Sequence, residues 1–173
     1  MDMEFSLAGF SELENQLKEL NLVAQKKVLR QAARKSAEPI KKSMTANVQS
    51  KGLVDTGNLL ESIKTTVTFP KSTNYADVFA NIGVFKSRKN MAASGKMDAP
   101  VYAYWLEYGT EPHALGRSAK RERGAHQDRG NMHPGTPATP FIRPAFESNA
   151  QNALSIQKQV LSAAIQRAIA RGR

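Results

Sequence analysis

The sequence predicts an α+β fold in which a small antiparallel β-sheet packs against a long N-terminal helix and a C-terminal helix, with long basic loops between them. Three segments of distinct hydrophobic period predict it. Val28 or Leu29, Ala33, Ala37, Ile40, Met44 and Val48 recur at helical spacing. Thr65 to Phe69 and Tyr75 to Phe85 then alternate with a period of two, and Phe146, Ala150, Leu154, Leu161, Ile165 and Ala168 return to the helical spacing.

Residues 1–10 offer a partial alternation through Phe5, Leu7 and Phe10 and read as a short strand or arm. Ser11, with Glu14 three residues on, has the capping-box pattern, so a first short helix is expected with Leu13, Leu17 and Leu20 on one face. Asn21 interrupts or recaps the chain before the long helix. Pro39 lies inside that helix, where it lacks an N–H and its ring crowds the preceding turn, which predicts a kink or break near Ser36 to Glu38. The opposite face carries Lys26, Lys27, Arg30, Arg34, Lys35, Lys41 and Lys42, either a solvated surface or a contact for phosphates or an acidic neighbour.

Gly52 ends the helix, and Asp55 or Thr56 can cap a short turn through Leu59, Leu60 and Ile63. The two strands follow, joined by a hairpin loop at Pro70 to Asn74. A polar, basic loop is expected at about 86–99 before Pro100 opens a short helix. That helix carries Tyr102-Ala103-Tyr104-Trp105-Leu106-Glu107-Tyr108-Gly109-Thr110, which holds three of the four tyrosines and the only tryptophan. The largest buried aromatic area in the chain is therefore expected here, with the acid Glu107 in the middle of it. Residues 111–135 contain almost no apolar side chain, cannot offset their own ordering entropy, and are expected to be a disordered loop until a partner orders them. Thr136 to Pro144 is extended and proline-rich, an expected further strand, and Pro144 suits the first turn of the last helix.

At 173 residues the chain is expected to form a single domain spanning 1–173. Its parts are N-terminal helices at about 11–50, the sheet and central motif at about 64–145, the C-terminal helix at about 144–170, and flexible loops at about 86–99 and 111–135. The absence of cysteine excludes disulfides, thiol catalysis and cysteine-based metal sites. No apolar run approaches the ~18 residues that span a bilayer, and Met1-Asp2-Met3-Glu4 does not begin a signal peptide. Neither membrane association nor secretion is expected.

Chemistry has few candidates. His113, His126 and His133 share one segment, but their spacings and the lack of an acidic cluster do not build a metal shell. Glu107 beside Tyr104 and Tyr108 has the form of a general base, yet no nucleophile or second acid stands at a matching position. The structural reading pairs it with an arginine such as Arg143 or sets it to cap backbone donors. No catalytic residue, cofactor or metal is expected, and the chain reads as non-enzymatic.

Three patterns in order, Asp55-Thr56-Gly57-Asn58-Leu59-Leu60-Glu61-Ser62-Ile63, Tyr102 to Thr110, and Pro137-Ala138-Thr139-Pro140-Phe141-Ile142-Arg143-Pro144-Ala145, resemble a known family. It comprises the small tail-component proteins of long-tailed, lambda-like phages and prophages, also described as tail-completion or head-tail joining (neck) proteins. The resemblance implies a virion protein, made in the host cytoplasm, whose copies form a ring at the junction of head and tail. Its implied partners are its own copies, head-closure proteins and tail-tube or tail-terminator proteins. On this resemblance Asp55, Thr56 and Gly57 form the turn from helix to sheet, Glu107, Gly109 and Thr110 belong to the central motif, and Phe141, Arg143 and Pro144 lead into the last helix.

The net charge of +10, from 25 Lys+Arg against 15 Asp+Glu, suits a polyanion or an acidic protein surface. Arg117, Lys120, Arg121, Arg123 and Arg129 are the candidate contacts to packaged DNA or to a partner. The alternative function is a basic nucleic-acid-binding protein with nonspecific DNA affinity. No aromatic residue interleaves with the basic ones between Arg117 and Arg129, and no helix-turn-helix signature is present.

Overall fold

The spine of the protein is a pair of long antiparallel helices, α2 (Leu22–Ser50) and α5 (Ile142–Ile169). The computed structural model describes residues 10–54, 57–70, 78–86, 98–114 and 132–171. A short helix α1 (Phe10–Lys18) lies against α5, and α3 (Asn58–Ser62) leads into β1 (Ile63–Thr68) and β2 (Phe79–Val84). Next come α4 (Ala99–Tyr108), the two-residue strands β3 (His113–Ala114) and β4 (Met132–His133), and α5. The observed mixture of a long helix, a small antiparallel sheet and a C-terminal helix is the predicted α+β class.

Asn21 recaps the chain after α1: its side-chain oxygen accepts from the Ala24 N–H at 2.9 Å. Ser11, in contrast, lies inside α1 rather than capping it. Of the kink or break expected near Ser36 to Glu38, the break does not occur: α2 runs without interruption through Pro39. The buried side of α2 continues across the proline through Ser36, Ala37, Ile40, Met44 and Val48. Burial of the last three side chains, worth about 1.5–3 kcal/mol each, outweighs the ~3 kcal/mol that an interior proline costs. Gly52, at φ 64°, ends the helix: its N–H donates to Gln49 O and the Leu53 N–H to Val48 O, the paired bonds of a glycine C-cap.

Two apolar clusters lie along the spine. One joins Ile40, Met44 and Val48 of α2 to Leu59, Ile63, Leu106, Phe141 and Ala145. The other joins Ala24, Val28 and Ala32 of α2 to Leu13, Leu20, Leu161 and Ile165. The shared helix face is rich in alanine (Ala24, Ala32, Ala33 and Ala37 opposite Ala145, Ala153 and Ala164 are all buried), which lets the two backbones approach closely. Phe146, expected on this buried stripe, is 43% exposed, and Ala145 takes the inward position instead.

The two strands pair antiparallel from Ile63↔Val84 to Thr68↔Phe79. Ile63 is buried, and Ile82 and Val84 pack against the first cluster. The expected hairpin loop, and the expected strand residues Tyr75 to Asp77, lie largely outside the described residues. β3 and β4 pair as His113↔His133 and Ala114↔Met132, so the ends of the predicted 111–135 loop form a short ribbon. The expected strand at 136–144 is reduced to one bridge, Thr110↔Thr136, because Pro137 and Pro140 have no N–H to continue a ladder.

The largest correction concerns the aromatic stretch. The buried residues of α4 are Ala99, Ala103, Leu106 and Glu107. Tyr104 and Tyr108 are 61% and 59% exposed, and Val101, Tyr102 and Trp105 also face solvent. The largest fully buried side chain among the described residues is Phe141 instead.

Candidate functional site

The site is the junction of α4 with the start of α5. Pro100 stands in the first turn of α4, and Gly109 terminates it, with its N–H donating to Trp105 O at 2.8 Å. This sets Glu107, the one buried charged side chain among the described residues, facing inward on the last turn. Its Oε2 accepts from the backbone N–H of Phe141 at 2.8 Å and of Ile142 at 2.9 Å. Its Oε1 accepts from the Arg143 N–H at 2.8 Å.

These bonds complete a count. A helix leaves its first four N–H groups without intrahelical partners, which for α5 are those of Phe141, Ile142, Arg143 and Pro144. Glu107 takes three of them, and the fourth does not exist because residue 144 is proline. The carboxylate also sits at the positive end of the α5 dipole. Of the two structural roles open in the sequence, capping backbone donors is the one observed. The Arg143 guanidinium lies instead 6.0 Å from the centre of the Tyr108 ring.

The chain beyond α4 is held to the same place. Thr139 N–H donates to Leu106 O at 2.7 Å, and Thr110 and Thr136 exchange both backbone bonds, at 2.9 and 3.1 Å. Gly109 adopts φ 75°, ψ −177°, a region open essentially to glycine alone. A Cβ there would lie 2.7 Å from Thr136 O and 2.9 Å from Ala138 N. A Cβ at Gly135, at φ 87°, would lie closer still to Thr110 O on the other side of the bridge, a partner not singled out from the sequence. Its signal was the glycine that follows His133-Pro134.

Phe141, Arg143, Pro144, Glu107, Gly109 and Thr110 thus converge on one junction. Gly57 does not join them: it is the left-handed N-cap of α3, at φ 78°. Asp55, Thr56, Arg117, Lys120, Arg121, Arg123 and Arg129 lie outside the described residues. His113 and His133 stack at 5.0 Å between ring centres, and no metal-holding group of three His, Asp or Glu occurs among the described residues. No described helix is long and apolar enough to cross a membrane. Away from the site, Lys18 at 2.7 Å holds the Glu14 carboxyl below its ordinary value, first by hydrogen bonding and then by charge.

A buried acid that ties one helix end to another, beneath an exposed aromatic face, is the arrangement of a structural scaffold. The chain belongs to the HK97 gp10-like family of bacteriophage tail components: the family described as "Bacteriophage HK97-gp10, putative tail-component" matches residues 11–109. No curated protein and no solved structure gives a significant match. The family match takes in the first of the three patterns and the second as far as Gly109. As a tail component the protein acts in the virion, among other virion proteins.

Proposed function

We propose that this tail component is a non-enzymatic subunit that completes the tail and joins it to the head at the neck, where copies of the chain assemble into a ring. The observation that carries the reading is the environment of Glu107. Inside the region that matches the family, the one buried acid among the described residues accepts three main-chain N–H bonds through its two oxygens, which suits a structural clamp between helix ends. Its partners on this reading are its own copies, head-closure proteins and tail-tube or tail-terminator proteins. Assembly begins from chains in the host cytoplasm, each a single domain. Removing the gene from a phage should leave filled heads and finished tails unjoined, or tails defective at their head-proximal end. Normal infectious particles would contradict the role.

The net charge of +10 supports contact with packaged DNA in addition. Binding to duplex DNA that weakens steeply with salt is expected, and no binding at low ionic strength would remove this part of the proposal.

A further inference from the structure

α4 has two apolar faces. Ala99, Ala103, Leu106 and the bonded Glu107 face inward, while Val101, Tyr104, Trp105 and Tyr108, at i, i+3, i+4 and i+7, form a second complete stripe that faces out. In a chain with 25 Lys+Arg, the ten residues of this helix include none, and its single acid is engaged inside. Tyrosine and tryptophan, with the Arg143 guanidinium from α5 beside Tyr108, is the composition of an interface centre. The stripe exposes on the order of 400 Å² of side chain, roughly half of what one partner contributes to a standard interface.

The same chain carries a receptor of matching chemistry. Between the N-terminal end of α2 and the C-terminal end of α5 lies a groove of about 470 Å³, lined by Val23, Ala24, Val28 and Ala168. Lys27, Arg167 and Arg171 also line it, and no acid among the described residues does. An apolar floor with cations beside it accepts aromatic rings, whose faces attract guanidinium and ammonium groups. The protein already makes such pairs, with Arg30 lying 5.0 Å from the Phe69 ring centre.

The two patches stand at opposite ends of the spine. α4 is tied to the first turn of α5, and the groove borders its last turns, about 40 Å away at 1.5 Å per residue. One chain therefore cannot bring its own stripe into its own groove. We infer that the outward stripe of α4 docks into the α2–α5 groove of a second copy of this chain. This is a head-to-tail contact between different surfaces, the kind that closes rings. The inference rests on the proposed ring and assigns its interface.

The absence of native cysteine gives a clean test. Tyr104→Cys and Val23→Cys are made singly and together in the full chain and treated with a short bismaleimide, while native mass spectrometry follows the untreated wild type. The expected result is a linked dimer when the two single variants are mixed, none from either alone, and a ladder of multimers from the double variant. Oligomers by mass without the mixed link would overturn the interface while leaving the ring standing. Tyr104→Cys linking to itself would show a two-fold α4 contact and overturn it too. A double variant that links only within one chain would contradict the separation of stripe and groove and overturn the interface as well. A wild type that stays monomeric at every concentration would overturn ring and interface together.

Discussion

The Glu107 carboxylate accepts from the Phe141 N–H at 2.8 Å across 34 positions of sequence, and together with its bonds to Ile142 and Arg143 it closes the N-terminus of α5. Removing it leaves three donors at a largely buried helix end without partners. Glu107→Ala is expected to destabilise the fold by about 3–5 kcal/mol, and Glu107→Gln, which keeps one carbonyl acceptor, by about 1–3 kcal/mol. Urea unfolding of the two variants measures both. A glutamine variant as stable as wild type would mean that the clamp contributes little.

Gly109 and Gly52 share a positive φ but differ in their surroundings. Nothing lies within 4 Å of a Cβ built at Gly52, whereas at Gly109 it meets the backbone of Thr136 and Ala138. Gly52→Ala should therefore cost only about 1 kcal/mol, the strain of the left-handed conformation. Gly109→Val should cost several-fold more and impair assembly more than Glu107→Gln does. Thermal denaturation compares the glycines, and particle yield compares assembly. Equal effects at Gly52 and Gly109 would argue against the close crossing, and the reverse order between Gly109→Val and Glu107→Gln would argue for a chemical role of the acid.

Pro39 leaves the Lys35 carbonyl without its helical donor in a helix that packing keeps continuous. Pro39→Ala should stabilise the protein by about 1–3 kcal/mol, as it restores one bond and helix propensity. A loss of stability measured by the same unfolding would show that the proline ring itself packs usefully.

The alanine face between α2 and α5 should tolerate no enlargement. Ala32 is 1% exposed, and Ala32→Leu is expected to cost about 1–3 kcal/mol through strain, while Ala163→Leu on the exposed side of α5 should be near neutral. Unfolding midpoints distinguish the two.

How much of this was legible in the sequence follows from the range of the forces involved. The long helices, the two paired strands and the glycine stop at Gly52 are written in local periodicity and turn chemistry, and they appear within a few residues of where that pattern places them. The role of Glu107 was half legible: its isolation from any nucleophile pointed to structure, but its donors come from a distant segment that no local pattern connects to it. Pro39 misled because tertiary packing along α2 overrides a local cost. The aromatic stretch misled for a different reason. Apolar pattern reports that a residue is to be covered, and it does not distinguish cover from the same chain and cover from a neighbour. Phe146 shows the same ambiguity, as its helical spacing fits the buried stripe that Ala145 occupies.

Amide hydrogen exchange at Phe141, Ile142 and Arg143 tests the central claim most directly. The first amides of a helix ordinarily exchange freely because they have no partner. Here all three should be protected in the wild type and should exchange fast in Glu107→Ala, with the amides in the middle of α2 still slow. Fast exchange at these three positions in the wild type, or protection unchanged by the substitution, would contradict the account.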